Sequence, residues 1–145
     1  PALGSCSLNT APEELPAAVE ACEQAALNGD LQAEFELGEF YYDGKRVERD
    51  LSQALKWFEQ ASLQGHAQSQ YRLGMMFFRG EGVPANNVQA YIVLKMAAVN
   101  GAEDALDLAD EVSAETGTLV SWTGSCMLAG ACEIFEKCVM EVTVF

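Results

Sequence analysis

The residues of this chain that could carry acid–base chemistry are its acidic side chains and one histidine. The 145 residues include 22 Asp and Glu and a single histidine, His66. Glu34, Glu36 and Glu39 fall two or three residues apart on one predicted helix, where a glycosidase-like carboxylate pair would need a cleft. A solvated acidic face is the simpler interpretation. His66 follows Gly65, and we expect it at a helix end without a catalytic partner.

Signatures of nucleotide, metal and nucleophile sites are missing from the sequence. The Gly-Glu-Gly run at 80–82 has no preceding strand and no following Gly-Lys-Ser/Thr, which indicates a turn. No serine lies in a G-x-S-x-G context. The acidic residues between 104 and 111 do not make a calcium loop, and without a CxxC motif no zinc pattern is present. We therefore expect no catalytic residue, no metal site and no cofactor.

Five cysteines, an odd number, leave the disulfide state open: Cys6, Cys22, Cys126, Cys132 and Cys138. The last three are six residues apart, which rotates a helix by roughly 600°, so they would not form one stripe. Residues 3–6, Leu-Gly-Ser-Cys, resemble a bacterial lipobox, in which Cys6 would be lipidated. The simpler interpretation is that this stretch is a flexible tail.

The balance of 8 basic and 22 acidic residues gives a formal charge of −14. Such a surface repels nucleic acid and anionic lipid, because those ligands require Lys and Arg. No apolar run approaches the ~20 residues of a membrane span. We expect no nucleic-acid binding, membrane association only through a lipid anchor on Cys6, and a preference for basic partners.

The strongest pattern is an internal repeat of 36 residues, which indicates a tandem array. It relates Leu37, Gly38, Gly44, Val47, Gln53, Ala54, Ala61 and Gly65 to Leu73, Gly74, Gly80, Val83, Gln89, Ala90, Ala97 and Gly101. Each unit predicts two helices. The first runs from about 31 to 43, and the second has an inner face of Ala54, Trp57, Phe58 and Ala61.

Local residues predict where these helices begin and end. Gly44 and Gly80 are suited to a left-handed C-terminal stop of each first helix. Asp50 and Asn86 are suited to N-caps of each second helix. Gly65 and its repeat at 101 would end the second helices.

Two glycines inside first helices, Gly38 and Gly74, need a packing reason, because glycine costs a helix about 1 kcal/mol relative to alanine. We expect another helix to cross there, with small residues facing the glycine so that the helices approach closely. The facing residues would be Ala54, Ala61, Ala90 and Ala97.

These positions resemble the Sel-1-like repeat, a relative of the tetratricopeptide repeat, over roughly residues 18–109. The resemblance implies an all-α, right-handed α-α superhelix, a solenoid of 36-residue two-helix repeats with atypical capping helices. The chain departs from the pattern where Lys45 and Arg46 replace the usual Xaa-Gly, where Val93 replaces Trp, and where Ala109 and Asp110 replace Leu-Gly. Paired cysteines of the cysteine-rich branch are absent from equivalent positions, so its disulfide ladder is not supported.

The expected organisation follows the repeat register. Residues 1–12 form an extended lead-in and 13–30 an N-terminal helix, or half repeat. The two full repeats span 31–65 and 66–101, and 102–115 form a degenerate first helix of a third repeat. Residues 116–145 are an atypical C-terminal segment, in which a helix around 125–139 would cap the array; the alternative is that this segment is not the native terminus.

The resemblance implies partner binding on a concave face formed by the first helices. Outward positions differ between the two copies and combine acidic, basic, aromatic and Met side chains: Glu36, Glu39, Tyr42, Arg72, Met75, Phe78 and Arg79. These are the predicted partner-binding residues. Burial of Tyr42 and Phe78 between repeats is the competing interpretation.

The predicted function is therefore a non-catalytic protein–protein interaction module or scaffold, which binds another protein or peptide with basic and apolar groups. One alternative is a structural protein that forms homo-oligomers through its C-terminal segment. Another, implied by one branch of the family, is β-lactam binding or hydrolysis, although no nucleophile beside a base is visible. The resemblance favours a bacterial protein of the envelope or periplasm and leaves a cytoplasmic location open.

Overall fold

The computed structural model describes Cys6, Leu8 and residues 10–116, 120–121 and 143–144. Within these residues the chain forms six helices of 13 residues each and one pair of two-residue strands. The helices are α1 (Leu15–Leu27), α2 (Leu31–Asp43), α3 (Leu51–Leu63), α4 (Ala67–Arg79), α5 (Asn87–Val99) and α6 (Asp104–Thr116).

The strands β1 (Val120–Ser121) and β2 (Thr143–Val144) pair antiparallel, with Val120 opposite Val144. Apart from this short pair, the expected all-α helical-repeat fold is confirmed. The predicted capping helix around 125–139 lies outside the described residues. No helix in the described part of the chain is long and apolar enough to cross a membrane.

The chain divides into two compact units, Pro1–Ala61 and Ser62–Phe145. The first unit buries a cluster of Cys22, Ala26, Ala33, Leu37 and Trp57. The inner face predicted for α3 is also confirmed, since Ala54, Phe58 and Ala61 are fully buried. The apolar positions of α1 and of the first repeat therefore form the core of this unit together.

The second unit is built on α4, α5 and α6, and one buried cluster of its core is mostly alanine. Ala102, Ala105, Ala109 and Val112 of the α6 region are buried together with side chains from α5. Ala109 occupies the position of the repeat's Leu and is 0% exposed. The third first helix, predicted as degenerate, is thus a complete helix, because a small apolar side chain still satisfies the core position.

The joint between the two helices of each repeat is built in the same way in both copies. Gly44 and Gly80 end α2 and α4 at φ values of 64° and 70°, in the left-handed region that glycine tolerates best. The next helices are capped by side chains: Asp50 accepts a hydrogen bond from the Gln53 amide at 3.1 Å, and Asn86 accepts one from the Gln89 amide at 3.0 Å. The predicted stops and caps are confirmed.

A backbone hydrogen bond closes each of these joints. The amide of Asp50 donates to the carbonyl of Tyr41 at 3.0 Å. In the second copy the amide of Asn86 donates to the carbonyl of Phe77 at 2.8 Å. Each bond spans nine residues, so the N-cap of the second helix is tied directly to the last turn of the first.

The two intrahelical glycines are packing positions, as predicted, but the groups that face them are large. A Cβ on Gly38 would lie 2.5 Å from Cε1 of Phe58, and one on Gly74 would lie 2.6 Å from Cγ of Leu94. The predicted close approach is present at Gly74, where the Ala90 carbonyl oxygen would lie 3.5 Å from the added Cβ, but the nearest groups at both glycines are Phe58 and Leu94 and not the expected alanines. Because glycine has no side chain, one large, fully buried side chain can lie against the helix backbone at each of these positions.

A polar chain crosses the interior of the second unit. Gln70 is 0% exposed, and its Nε2 donates to the carbonyl of Ser62 at 3.1 Å. Its Oε1 accepts from Nδ2 of Asn100, the C-cap residue of α5, at 2.9 Å. The side-chain amide of Gln70 thus links the ends of two helices. It gives hydrogen-bond partners to polar groups that burial separates from water.

Candidate protein-binding groove

An open groove of about 350 Å³ lies within the first unit. Its lining combines carboxylates with apolar groups: Cys6, Leu8, Glu36, Glu39, Phe40 and Asp43. The last four residues follow the spacing i, i+3, i+4 and i+7 on α2, which places them on one face of a helix. The N-terminal segment supplies the other wall through Cys6 and Leu8.

The N-terminal wall is fastened to the rest of the unit at several points. Cys6 forms a disulfide with Cys22, which is 1% exposed in α1. The guanidinium of Arg46 donates to the carbonyls of Leu8 and Thr10. Cys6 and Leu8 also pack against the buried cluster of this unit. The departure from the repeat pattern at Arg46 therefore has a structural role, because a glycine there could not reach the segment.

The groove is acidic, and its three carboxylates differ in exposure and in their hydrogen-bond or ion-pair partners. Glu36 is half-buried and accepts a hydrogen bond from Nε2 of Gln32 at 3.2 Å. Asp43 is exposed and pairs with Lys45 at 3.1 Å. Glu39 is half-buried between them on the same face. Glu34, one of the glutamates expected on a solvated face, is 4% exposed, so that expectation is wrong for this residue.

Apolar surface lies directly beside these carboxylates. Phe40 is half-buried, and its ring centroid lies 5.9 Å from that of Tyr41 in an edge-on arrangement. The hydroxyl of Tyr41 donates to Glu23 at 2.9 Å, and burial, with this hydrogen bond, raises the pKa of Tyr41 to about 12. Tyr41, which lies beside Phe40, thus stays protonated at ordinary pH, and its hydrogen bond to Glu23 fixes its position. A ligand in the groove would meet carboxylates and an aromatic ring together.

The predicted partner-binding residues of the first unit are only partly in this groove. Glu36 and Glu39 line it, whereas Tyr42 lies outside its lining. The Tyr42 ring packs edge-on against Phe58 with centroids 6.4 Å apart, and the Arg49 guanidinium lies 5.3 Å from the Tyr42 ring centroid. Tyr42 is therefore half-buried by contacts within its own unit.

In the second unit, Arg72 and Phe78 are half-buried, Arg79 is exposed and Met75 is 9% exposed. Phe78 packs against the alanine-rich core. The expectation that Met75 points outward is wrong, because its side chain is buried. Partner binding by Arg72, Phe78 and Arg79 stays a prediction.

Lipidation of Cys6 competes with the disulfide. A sulfur bonded to Cys22 cannot also carry a thioether-linked lipid, because it already forms its second bond. The structure holds Cys6 in the disulfide form. Lipidation therefore stays a prediction for a form of the chain in which this bond is absent.

The histidine has a structural role at a helix end, as predicted. Nδ1 of His66 accepts from the backbone amide of Ser69 at 3.2 Å and lies 2.8 Å from its hydroxyl, so His66 is the N-cap of α4. Ser69 is 0% exposed, which keeps a substrate away from its hydroxyl. In the described residues, no three His, Cys, Asp or Glu side chains are grouped to hold a metal.

Sequence reasoning missed the N-terminal wall and half of the helical wall. Phe40 is half-buried, whereas its repeat equivalent Met76 is fully buried, and no pattern in the sequence marks Phe40 as a groove residue. Nothing in the sequence of the lead-in distinguished Leu8. The basic pair at 45–46 departs from the repeat pattern, and it is the sequence signal that could have indicated an added contact at this loop.

Comparison with known proteins agrees with the architecture. Residues 31–66 and 67–101 each match the model of the Sel1 repeat. A Sel1 repeat protein from Oxalobacter formigenes is similar over 63% of this chain, with 28% identity and a TM-score of 0.60. A protective antigen of uropathogenic Escherichia coli strains, which displays an SLR fold, is similar over 90% of this chain, with 28% identity and a TM-score of 0.67.

The chain spans 37% and 27% of the lengths of these two proteins. No curated protein matches the sequence. Sel1 repeats are generally protein–protein interaction modules and typically non-catalytic. With two repeat matches in tandem at the register of the helices described above, the chain is a member of the Sel1-like repeat family.

Proposed function

We propose that this chain is a non-catalytic protein-interaction module that binds a basic segment of a partner protein in the groove of its first unit. The observation that carries the proposal is the placement of Glu36, Glu39 and Asp43 beside Phe40 in one open groove. Carboxylates attract Lys and Arg, while the ring and Leu8 offer an apolar contact. A partner segment with basic groups around one apolar anchor fits this chemistry.

Net charge supports the same class of partner. At −14, the chain attracts basic proteins over a distance and repels acidic ones, which favours encounter with a basic segment. The exposed Arg79, with Arg72 and Phe78, would provide a second contact of opposite charge on the second unit. A scaffold role follows if both units engage partners.

We also propose an extracytoplasmic location, in the envelope or periplasm of a bacterium. The Cys6–Cys22 disulfide supports it, because disulfides persist mainly in oxidising compartments. The alternative of self-association depends on residues 116–145, most of which lie outside the described part of the chain. No observation on the described residues favours β-lactam chemistry.

The groove is tested with a defined probe, a fluorescein-labelled peptide in which Lys and Leu alternate, measured by fluorescence anisotropy. We expect Glu36→Gln/Glu39→Gln to weaken its binding about tenfold, which corresponds to about 1.4 kcal/mol. The matched control is Glu20→Gln/Glu48→Gln, which removes the same charge from exposed positions of the same unit. Equal weakening by both variants would show general attraction to an acidic protein and would overturn the groove.

The apolar contact is tested separately with Phe40→Ala, against Leu27→Ala as control. Leu27 is 68% exposed and lies outside the groove lining. We expect only Phe40→Ala to weaken the probe. Circular dichroism on each variant checks that helix content is unchanged, and the native partner is then sought by capture with the wild type and the Glu36→Gln/Glu39→Gln variant.

A further inference from the structure

We propose that the Cys6–Cys22 disulfide controls partner binding, because it holds one wall of the groove in place. The inference rests on the proposed function of the groove and adds a redox dependence to it. In the oxidised chain the wall formed by Cys6 and Leu8 stays against α2, and the groove binds its partner. In the reduced chain the wall is released and binding is lost.

The position of the disulfide carries this argument. Cys6 lines the groove, and Cys22 is 1% exposed among the buried residues of α1. The bond therefore joins a wall of the groove directly to the core of the unit. The two cysteines are 16 residues apart, so the bond closes a loop that would otherwise sample many conformations.

The remaining attachments of the wall are weaker. Leu8 and Thr10 lie outside the helices, and their carbonyls accept from the exposed guanidinium of Arg46. Exposed hydrogen bonds add little stability because water competes for both partners. Among the described residues, Cys6 and Leu8 also pack against the core cluster. Without the covalent bond, the described part of the wall is held by these non-covalent contacts alone.

The chemistry requires a dithiol reductant. Its first thiolate attacks the sulfur of Cys6, which is half-buried, and Cys22 leaves as a thiolate and takes up a proton. The second thiolate of the reductant then displaces the Cys6 sulfur, which is also protonated. Two electrons pass from the dithiol to the protein, and the reductant becomes a disulfide. Access favours attack at Cys6, since Cys22 is buried.

The chain itself offers a way to isolate this bond. Replacing Cys126, Cys132 and Cys138 by Ser leaves Cys6 and Cys22 as the only cysteines. In that background, maleimide labelling before and after dithiothreitol counts free thiols by mass. We expect no label on the oxidised chain and two labels on the reduced chain. Two labels before reduction would overturn the proposal, because the bond would not form.

Binding of the Lys-Leu peptide is then measured on the oxidised and reduced forms. We expect reduction to weaken binding at least about tenfold, with circular dichroism at 222 nm unchanged. Cys6→Ser/Cys22→Ala should bind as weakly as the reduced chain with or without dithiothreitol. In the oxidised chain, Arg46→Ala should weaken binding severalfold, whereas Lys56→Ala, an exposed cation of the same unit, should not.

The outcomes separate this inference from the function on which it rests. If the oxidised chain does not bind the peptide, the proposed groove fails. If the oxidised chain binds and the reduced chain binds equally well, the redox control is wrong and the groove stands. If reduction abolishes helical structure, the bond determines folding instead of controlling a wall, and the inference is overturned.

Discussion

A Cβ placed on Gly38 would lie 2.5 Å from Cε1 of Phe58, and the ring of Phe58 is 0% exposed. Real Cβ atoms do not approach other atoms this closely, so a methyl group at position 38 must displace the ring or the helix. The ring lies in the close-packed interior against the rings of Phe35 and Tyr42, so moving it disturbs these contacts. The glycine and the phenylalanine are therefore a matched pair, which the following substitutions test.

Gly38→Ala should lower the free energy of unfolding by about 1–3 kcal/mol, the usual cost of overpacking. Alanine's better helix propensity offsets about 1 kcal/mol of strain at most, so the strain dominates. Urea denaturation followed by circular dichroism measures the change. In a Phe58→Leu background, Gly38→Ala should cost less, because the smaller side chain leaves room. Additive losses in the double variant would contradict the pairing.

The helix caps at the repeat joints are a second target. Asp50→Ala and Asn86→Ala should each cost about 1 kcal/mol, because each removes the acceptor for a helix N-terminal amide. Asp50→Asn keeps an acceptor at that position and serves as the control. Equal stability of Asp50→Ala and Asp50→Asn in urea would show that the hydrogen bond to Gln53 contributes nothing.

The buried amide of Gln70 should be the costliest polar group to remove from the second unit. Gln70→Ala leaves the Ser62 carbonyl and the Asn100 amide without this partner, and we expect a loss of about 1–3 kcal/mol. Asn100→Ala should cost less, because it breaks one hydrogen bond of the chain. Thermal unfolding of both variants and of their combination gives the coupling, and a combined loss equal to the sum would argue against a connected chain.

Stability should depend on pH through His66. Burial lowers the pKa of His66 below its ordinary value of 6.5, and its Nδ1 caps α4 only when that nitrogen is unprotonated. Because the folded state has the lower pKa, the unfolded state binds more protons as pH falls. The contribution is complete above about pH 6.5 and is lost as pH falls through the folded-state pKa.

The variant His66→Asn keeps a cap acceptor and removes this titration. Thermal midpoints between pH 5 and 8 should therefore fall more steeply for wild type than for His66→Asn. Burial raises the pKa of Glu59, which acts in the opposite direction, but both proteins share that group and the comparison cancels it. Parallel curves for the two proteins would rule out the histidine cap as a source of pH dependence.

The helix boundaries were predictable because short-range chemistry determines them. Gly44 ends α2 through its own backbone preference, and Asp50 begins α3 with an acceptor three residues before the amide that it caps. Gly80 and Asn86 stand 36 positions after Gly44 and Asp50 and have the same local preferences, so the same prediction applies to both repeats. The helix within residues 102–115 is harder to predict from the sequence, because Ala109 fills the buried core position without matching the Leu of the repeat motif.

The groove could not be predicted because its walls come from different parts of the chain. Periodicity places Phe40 and Asp43 on α2, but it does not say which segment lies opposite. Five cysteines allow many pairings, and the pairing of Cys6 with Cys22 depends on the folded chain bringing them together. The large side chains facing Gly38 and Gly74 were missed for a related reason: periodicity indicates close packing there and leaves the facing residue undetermined.

The backbone bond from the Asp50 amide to the Tyr41 carbonyl, with its counterpart from Asn86 to Phe77, has a consequence for how the chain reaches its structure. Both bonds link residues only nine positions apart, so closing either joint costs little chain entropy. Each helical hairpin can therefore form before distant contacts exist, and low contact order favours rapid folding. Folding can begin at either joint, and the hairpin that is more stable alone should become the nucleus from which the array grows.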